Sequence, residues 1–292
     1  MKKSKISTRE KSGFWFILPA MIFVFLFFII PLISVLIMSA TDFPLLGDIT
    51  YVGFQNYIDI WADTEFHQTI INTLVYTILV TPPLFIVGLG TALLIRRANK
   101  LSSFFRTFFF MPLVIGFGSA AFLWYWLLDP GTGYIPQFLR DIGFGGMDKP
   151  ILGYMPGALL AVILMVVWKF SSLQMILLMA GMQGIDPEVL ESSEMDGAVK
   201  WKQLRYITLP LIRRTLGMVF ILSISGSLLA FDQFYIMTGG GPEGQTETMV
   251  FFVWRQAFRS FNLGYAAALS VAISIVLLVI SLAQFKLLDE KD

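Results

Sequence analysis

The stretch Glu191-Ser192-Ser193-Glu194-Met195-Asp196-Gly197 is followed, after nine further residues, by Ile207-Thr208-Leu209-Pro210. Both pieces belong to a charged segment, residues 183–214, that separates two long apolar runs of the chain. A polar segment in that position is predicted to connect two hydrophobic helices, so its meaning depends on the sequence on either side of it.

This charged segment contains helix start and stop signals of its own. Asp186 is a suitable N-cap residue, Pro187 occupies the first helical position, and Glu188 lies in the first turn. We expect Gly197 to end this helix, and Pro210 to stop a second helix that follows it. The segment is therefore predicted to form two short helices joined at a bend.

The composition of the whole chain indicates a membrane protein. Of 292 residues, 56% are hydrophobic and 14% are charged, and the mean hydropathy is +0.74, which is too apolar for a water-soluble domain of this length. A helix that crosses a bilayer needs about 20 mainly apolar residues. Six stretches qualify, namely residues 14–38, 69–95, 107–128, 154–181, 216–237 and 264–285. We predict an all-α membrane protein whose domain of six transmembrane helices, residues 14–285, lies between short terminal segments, residues 1–13 and 286–292.

The distribution of Lys and Arg predicts the orientation of these spans, because connections on the cytoplasmic side retain positive charge. Alternate connections and the two termini hold sixteen of these residues: Lys2, Lys3, Lys5, Arg9, Lys11, Arg96, Arg97, Lys100, Arg106, Lys200, Lys202, Arg205, Arg213, Arg214, Lys286 and Lys291. The other connections hold four: Arg140, Lys149, Arg255 and Arg259. Both termini are therefore expected in the cytoplasm.

The sequence lacks the residues that several functional classes require. A net charge of +1 argues against nucleic-acid binding, which requires a clustered basic surface. The chain has no cysteine and a single histidine, His67, so a metal site is not expected. The glycine run at residues 239–241 lacks the Gly-Lys-Ser/Thr continuation of a phosphate-binding loop. We expect no catalytic constellation and no cofactor bound by this chain.

Lys169 and Asp232 are the two charged residues well inside predicted spans. Charge inside a membrane is costly and is usually functional, so both side chains are expected to face the interior of the helix bundle. They could form a structural pair between the fourth and fifth spans, or they could contact a substrate. The sequence slightly favours the pair.

The fourth and fifth spans also carry small polar and aromatic residues at helical spacing, which suits the hydroxyl edges and the CH face of a sugar. The residues expected on this path are Phe170, Leu173, Gln174, Ser223, Ser227 and Ala230. Small residues at such positions can equally serve helix packing.

The spacing of the opening stretch resembles the cytoplasmic signature of the permease subunits of binding-protein-dependent ABC importers. In that family Glu-Ala-Ala, three residues, Gly, nine residues and Ile-x-Leu-Pro follow one another, and here Ser192 and Ser193 replace the alanines. The resemblance covers nearly the whole chain. Within the family, it is to the branch that imports carbohydrates and glycerol phosphate. It rests on Leu18-Pro19-Ala20, Phe105-Arg106-Thr107, Met111-Pro112, Asp129-Pro130, Trp168-Lys169, Ala180-Gly181-Met182-Gln183, Phe231-Asp232-Gln233-Phe234-Tyr235, Thr238-Gly239-Gly240-Gly241-Pro242, Thr246 and Gly264-Tyr265-Ala266-Ala267-Ala268.

The resemblance implies the type I importer permease fold, with a cytoplasmic coupling helix that docks into a groove of an ATPase subunit. The residues implied at that contact are Leu190, Glu191, Ser192, Ser193, Asp196 and Gly197. It also implies a multi-pass location in the inner or plasma membrane of a prokaryotic cell. The implied partners are a second homologous permease, two cytosolic ATPase subunits that bind ATP and Mg²⁺, and an extracellular or periplasmic solute-binding protein.

The expected function is that of a transmembrane subunit, not an enzyme, that forms half of the pathway of an ATP-driven importer for an oligosaccharide or related polyol and works by alternating access. An amino-acid or peptide permease of the same family is the nearest alternative. A secondary transporter driven by an ion gradient would explain Lys169 and Asp232, but it gives the stretch at residues 191–210 no purpose. A membrane-embedded enzyme lacks its catalytic residues.

Overall fold

The computed structural model describes residues 8–44, 47–96, 100–143, 150–198 and 201–289. Several basic residues on which the predicted orientation depends lie outside these ranges, as do residues 1–7 of the first terminal segment and residues 290–292 of the last. Those basic residues are Lys2, Lys3, Lys5, Arg97, Lys149, Lys200 and Lys291. The chain divides into two compact units, the first formed by the residues up to Asp63 with Val253–Ile275, and the second by Thr64–Phe252 with the residues from Val276 onward.

The first unit begins with a long apolar rod. It consists of α1 (Thr8–Val24), a π-helical turn (Phe25–Ile29) and α2 (Ile30–Met38), followed by β1 (Thr41–Asp42), β2 (Thr50–Tyr51) and α3 (Gln55–Ala62). The two strands pair antiparallel, with Thr41 opposite Tyr51. The end of α2 is held by Asn56, whose Nδ2 donates to the carbonyls of Ser39 and Thr41, each at 3.0 Å. The long rod is thus anchored at its C-terminal end.

The second unit contains most of the helices. They are α4 (Thr64–Leu94), α5 (Lys100–Val114), α6 (Phe117–Leu127), α7 (Tyr134–Asp141), α8 (Gly157–Gln183), α9 (Pro187–Met195), α10 (Trp201–Gln203), α11 (Leu209–Leu211), α12 (Arg213–Leu228) and α13 (Asp232–Met237). A 3₁₀ turn (Ile151–Gly153) precedes α8, and a π-helical turn (Leu204–Thr208) joins α10 to α11. The boundary between the units falls within α14 (Met249–Phe258) and again within α15 (Leu263–Asp289).

Helix α8 is the centre of the second unit, because it packs against α4, α5 and α12 and is buried along most of its length. A core formed by Ala92, Met175, Leu178 and Val219 joins α4, α8 and α12. Gly88 lets α4 approach α8 closely, since a Cβ there would lie 2.7 Å from the Cβ of Gln174.

The structure confirms the all-α membrane architecture and corrects the predicted helix boundaries. Among the residues that the structure describes, four helices are long and apolar enough to cross a membrane, and the number reaches six if each of two bent helix pairs forms one span. The predicted third span, residues 107–128, is interrupted between α5 and α6, whose axes differ by 95°. The predicted fifth span, residues 216–237, is interrupted at residues 229–231 between α12 and α13. The six-span count and the orientation remain predictions.

Pro210 does not stop the second short helix, contrary to expectation. The π-helical turn lies just before Leu209 and Pro210, and the N–H of Leu209 bonds to the carbonyl of Leu204. The same arrangement occurs before Pro31, where Ile30 N–H bonds to Phe25 O. A widened turn accommodates the missing N–H and the bulk of the proline ring, so the helix continues to Leu211 and bends only at Ile212.

Candidate functional sites

The short helix α9 begins and ends where the sequence predicts. At its N-terminus, the side chain of Asp186 accepts a hydrogen bond of 3.0 Å from the backbone N–H of Glu188, with Pro187 in the first position. At its C-terminus, Gly197 N–H donates to Glu194 O at 3.0 Å and Ala198 N–H to Ser193 O at 2.9 Å. Gly197 has φ +77°. These two bonds and the left-handed glycine form a Schellman cap.

One side of α9 is fixed to the next helical segment. Gln203 of α10 is buried, and its Nε2 donates to the carbonyl of Leu190 at 3.1 Å and to Ser193 Oγ at 3.0 Å. Ser193 Oγ in turn donates to Leu190 O at 2.7 Å. Ser193, the second serine of the signature, therefore helps to hold α9 against α10. Gln203 is a residue that sequence reasoning missed, because its partners lie ten or more positions away.

The other side of α9 is uncovered. Glu191, Ser192, Asp196 and Gly197 are exposed, and Met195 is 89% exposed at the tip. An acidic helix surface with an apolar tip is suited to binding a basic and partly apolar groove. The implied coupling residues therefore divide into two sets, because Leu190 and Ser193 face inward while the others face outward.

The six residues predicted on the substrate path all line one cavity of about 240 Å³ in the second unit. They are Phe170, Leu173, Gln174, Ser223, Ser227 and Ala230, from α8 and from α12 with the residues that follow it. Tyr76, Phe117, Phe231 and Gln233 complete much of the wall. Sequence reasoning missed Tyr76 and Phe117, because they lie on α4 and α6 and not on the two helices whose polar spacing indicated the path.

Hydrogen bonds order the polar part of this wall. Gln174 Nε2 donates to Ser223 Oγ at 2.7 Å, and Ser227 Oγ donates to Ser223 O at 2.7 Å. Opposite them, Gln233 Nε2 donates to the hydroxyl of Tyr76 at 3.2 Å. Gln174 Oε1 is buried and accepts no hydrogen bond from the described part of the chain. This oxygen lies against Gly88 of α4, where an added Cβ would come within 2.9 Å of it.

Lys169 and Asp232 do not form the predicted pair. Lys169 is buried, and its Nζ donates to the main-chain carbonyls of Pro112, Leu113 and Ile115. Asp232 is the exposed first residue of α13 and borders the cavity. The prediction failed because the break between α5 and α6, which the sequence did not reveal, supplies Lys169 with carbonyl acceptors in place of a carboxylate.

Two motifs outside the long helices form tight turns. Asp129 accepts hydrogen bonds from the N–H groups of Gly131 and Thr132 and from the Thr132 hydroxyl, and these bonds lower the pKa of its carboxyl group. Thr246 Oγ1 lies 2.7 Å from Thr238 Oγ1 and donates to Gly241 O at 2.6 Å. These contacts give the Asp-Pro and Gly-rich motifs a structural role.

The long apolar helices, the largely apolar cavity with its few polar side chains, and the capped polar helix between α8 and α12 together define a polytopic membrane transport protein. Residues 68–291 match the family model described as the inner membrane component of binding-protein-dependent transport systems. The chain belongs to this family.

Two relatives and one solved structure agree with this assignment. YurN of Bacillus subtilis (strain 168), a probable ABC transporter permease protein, is 31% identical over 274 residues, which are 93% of this chain and 94% of that protein. MsmF of Streptococcus mutans, a multiple sugar-binding transport system permease protein, is 29% identical and covers 94% of each chain. A chain from the crystal structure of a bacterial ABC transporter that imports alginate has a TM-score of 0.86 at 22% identity, covering 97% of this chain and 96% of that one. It shares the fold.

Proposed function

We propose that this chain is the transmembrane subunit of an ATP-driven sugar importer and forms half of the translocation pathway by alternating access. The substrate class is an oligosaccharide or related polyol. The name of MsmF supports the sugar assignment, and so does the cavity, whose wall combines aromatic rings with serine and glutamine side chains.

The observation that carries this proposal is the structure of α9. The helix has nine residues, is capped at both ends, is fixed on one side by Gln203 and is uncovered on the other, so it is built to move as one body when a partner binds it. A cytosolic ATPase subunit would bind the uncovered side, so that closure of two such subunits moves α9 and, through it, α8 and α12. ATP and Mg²⁺ would bind to those subunits, and this chain would bind no cofactor.

Two further partners complete the proposed complex. A second homologous permease would supply the other half of the pathway, and an extracellular or periplasmic solute-binding protein would deliver the sugar. The family description, which names binding-protein-dependent transport, supports the binding-protein partner.

The proposal includes six spans with both termini in the cytoplasm of a prokaryotic cell. This orientation places α9 on the side where ATP is available. A reporter fused after Asp292 is expected to give a cytoplasmic signal. An external signal would place α9 on the wrong side of the membrane for an ATPase.

Reconstitution tests the function directly. Proteoliposomes that contain this chain, its partner permease and the ATPase subunits should take up a radiolabelled sugar only with internal ATP and external binding protein, and vanadate should stop the uptake. A sugar panel in a thermal-shift assay of the binding protein selects the substrate. Uptake that follows an ion gradient and resists vanadate would contradict the proposal, and stabilisation of the binding protein by amino acids alone would contradict the sugar assignment.

A further inference from the structure

The break between α5 and α6 creates an electrostatic problem inside the second unit. Helix α5 ends at Val114, α6 begins at Phe117, and the chain turns by 95° between them. The last carbonyl groups of a helix have no following N–H groups to bond with. In a buried or lipid-facing position such groups are strongly unfavourable unless something else donates to them.

Lys169 satisfies these carbonyl groups. Its Nζ donates to Pro112 O at 3.1 Å, to Leu113 O at 3.4 Å and to Ile115 O, so the three donors of the ammonium group are matched by three acceptors. The residue is 3% exposed. A positive charge at the C-terminal end of a helix is also favourable for the helix dipole.

The same side of α8 makes a second contact with α5. Ser172 Oγ, three residues after Lys169, donates to Phe109 O at 2.5 Å. Together the two side chains attach the end of α5 to the middle of α8. The position at which α6 starts is therefore set from α8.

The attachment bears directly on the cavity. Phe117 is the first residue of α6, and its ring lies 5.4 Å from the ring of Phe170, centroid to centroid. Phe170 is the sequence neighbour of Lys169, and Lys169 Nζ lies 5.7 Å from the centre of its ring. Both aromatic rings line the cavity. A movement of the break would consequently move one ring relative to the other.

We propose that Lys169 is a positioning residue, which holds the broken helix against α8 and thereby fixes the Phe117–Phe170 aromatic wall of the cavity. Neither a carboxylate partner nor direct substrate contact is part of this role. The geometry stands independently of the proposed function, and its consequence for sugar passage rests on that function. Because α13 packs against α6 and also lines the cavity, the position of the break affects the position of α13 as well.

The absence of cysteine from the sequence allows a clean test. The substitution Phe117→Cys places the only thiol of these 292 residues at the aromatic wall. A positively charged, water-soluble methanethiosulfonate reagent is the probe, applied to membranes that contain the chain, and the labelling rate is measured with Lys169, Lys169→Arg and Lys169→Met. Leu222→Cys, on the α12 side of the same cavity, is the control reporter.

Lys169→Met is expected to change the labelling rate at Phe117→Cys by about tenfold or more, because a hydrogen bond to a charged group shifts a local equilibrium by at least that factor. Lys169→Arg should stay near the parent rate, and the Leu222→Cys reporter should respond to neither change. Equal rates for Lys169 and Lys169→Met would overturn the proposal. So would equal changes at both reporters, which indicate general loosening.

Lys169→Gln covers the case in which Lys169→Met does not insert. Its neutral amide has two donors, so it can satisfy some of the carbonyl groups and should give an intermediate labelling rate. A parent rate in that variant would again contradict the role of Lys169. The readout needs neither a sugar nor an ATPase subunit, so its failure and a failure of ATP-driven uptake are separate results.

Discussion

The helix α9 and the cavity differ in how they are built. Helix α9 is specified almost entirely by neighbours in sequence, through its Asp186 cap, its Gly197 cap and one residue of α10. The cavity is assembled from α4, α6, α8, α12 and α13 and depends on two helix breaks. The comparison teaches that α9 can be altered without changing the cavity, whereas a change in the cavity wall affects several helices at once.

The largest effect that separates the two regions is expected from Ser227→Trp. Ser227 is 4% exposed and lines the cavity, so an indole there would fill much of a space of about 240 Å³. Sugar uptake should be abolished, while the ATPase subunits still bind. Uptake in proteoliposomes, together with co-purification of the complex, measures both.

Ser274→Trp is the matched control for this substitution. Ser274 Oγ makes the same bond to the carbonyl four residues earlier, at 2.7 Å, but its side chain is exposed on α15. This variant should transport normally. If Ser227→Trp also transports at the parent rate, the substrate does not pass along this face of α12.

A smaller but still large effect is expected from Glu191→Ala on α9. Removing one member of an interfacial charge pair typically costs about 2–5 kcal/mol, which corresponds to a loss of roughly 30-fold or more in affinity for the ATPase subunit. Hydrolysis should no longer be coupled to uptake, while the chain remains inserted. Glu243→Ala, at an exposed loop position, should leave the affinity unchanged. Parent affinity in Glu191→Ala would remove Glu191 from the docking contact.

Gln203→Ala should loosen α9 without altering its exposed side. The substitution removes the hydrogen bonds from Nε2 to Leu190 O and Ser193 Oγ, while Leu190 O still accepts from Ser193 Oγ. The cost is about 0.5–1.5 kcal/mol for each hydrogen bond lost. Hydrogen exchange of the α9 amides should become faster, and labelling of the cavity should not change. Gln183→Ala, at an exposed position, provides the comparison. Unchanged exchange in Gln203→Ala would mean that other contacts fix α9.

Gly197→Ala is expected to have the smallest of these effects. No atom lies within 4 Å of the added Cβ, so the cost comes from the φ of +77° alone and amounts to roughly 1–2 kcal/mol. Gly197→Val should cost more because of its β-branched side chain, and Gly197→Asn less. Gly90→Ala, inside α4 with equally open space, should not be destabilising. The mobility of α9, measured by hydrogen exchange, ranks these variants.

Sequence reasoning succeeded where the determinants are local or periodic. The Asp186 and Gly197 caps follow from their residue types, and the faces of α8 and α12 that carry Gln174 and Ser223 follow from helical spacing. These residues duly meet in one cavity. The fixed spacing of the family signature also predicted the family and the use of α9 as a docking surface.

The same reasoning failed where a break interrupts an apolar run. The residues on either side of Gly116 are apolar, because both the bundle interior and the lipid favour apolar side chains. Pro112, Gly116 and Gly118 lie at the break, but glycine and proline are common within membrane helices, so they do not by themselves mark the change of direction between α5 and α6. The role proposed for Lys169 depends on that break. Without the break, a carboxylate is the expected partner of a buried lysine, so the sequence alone favours a pair with Asp232.

The most direct test of the central claim is to identify the molecule that touches the tip of α9. A photoreactive benzoylphenylalanine at Met195, which is 89% exposed, can be activated in membranes that contain the whole complex. The control position is Tyr134 on α7, which is 65% exposed and is predicted to lie on the opposite side of the membrane. We predict a crosslink from position 195 to the ATPase subunit and none from position 134. A crosslink to the ATPase subunit from position 134 but not from position 195 would contradict both the orientation and the coupling role of α9.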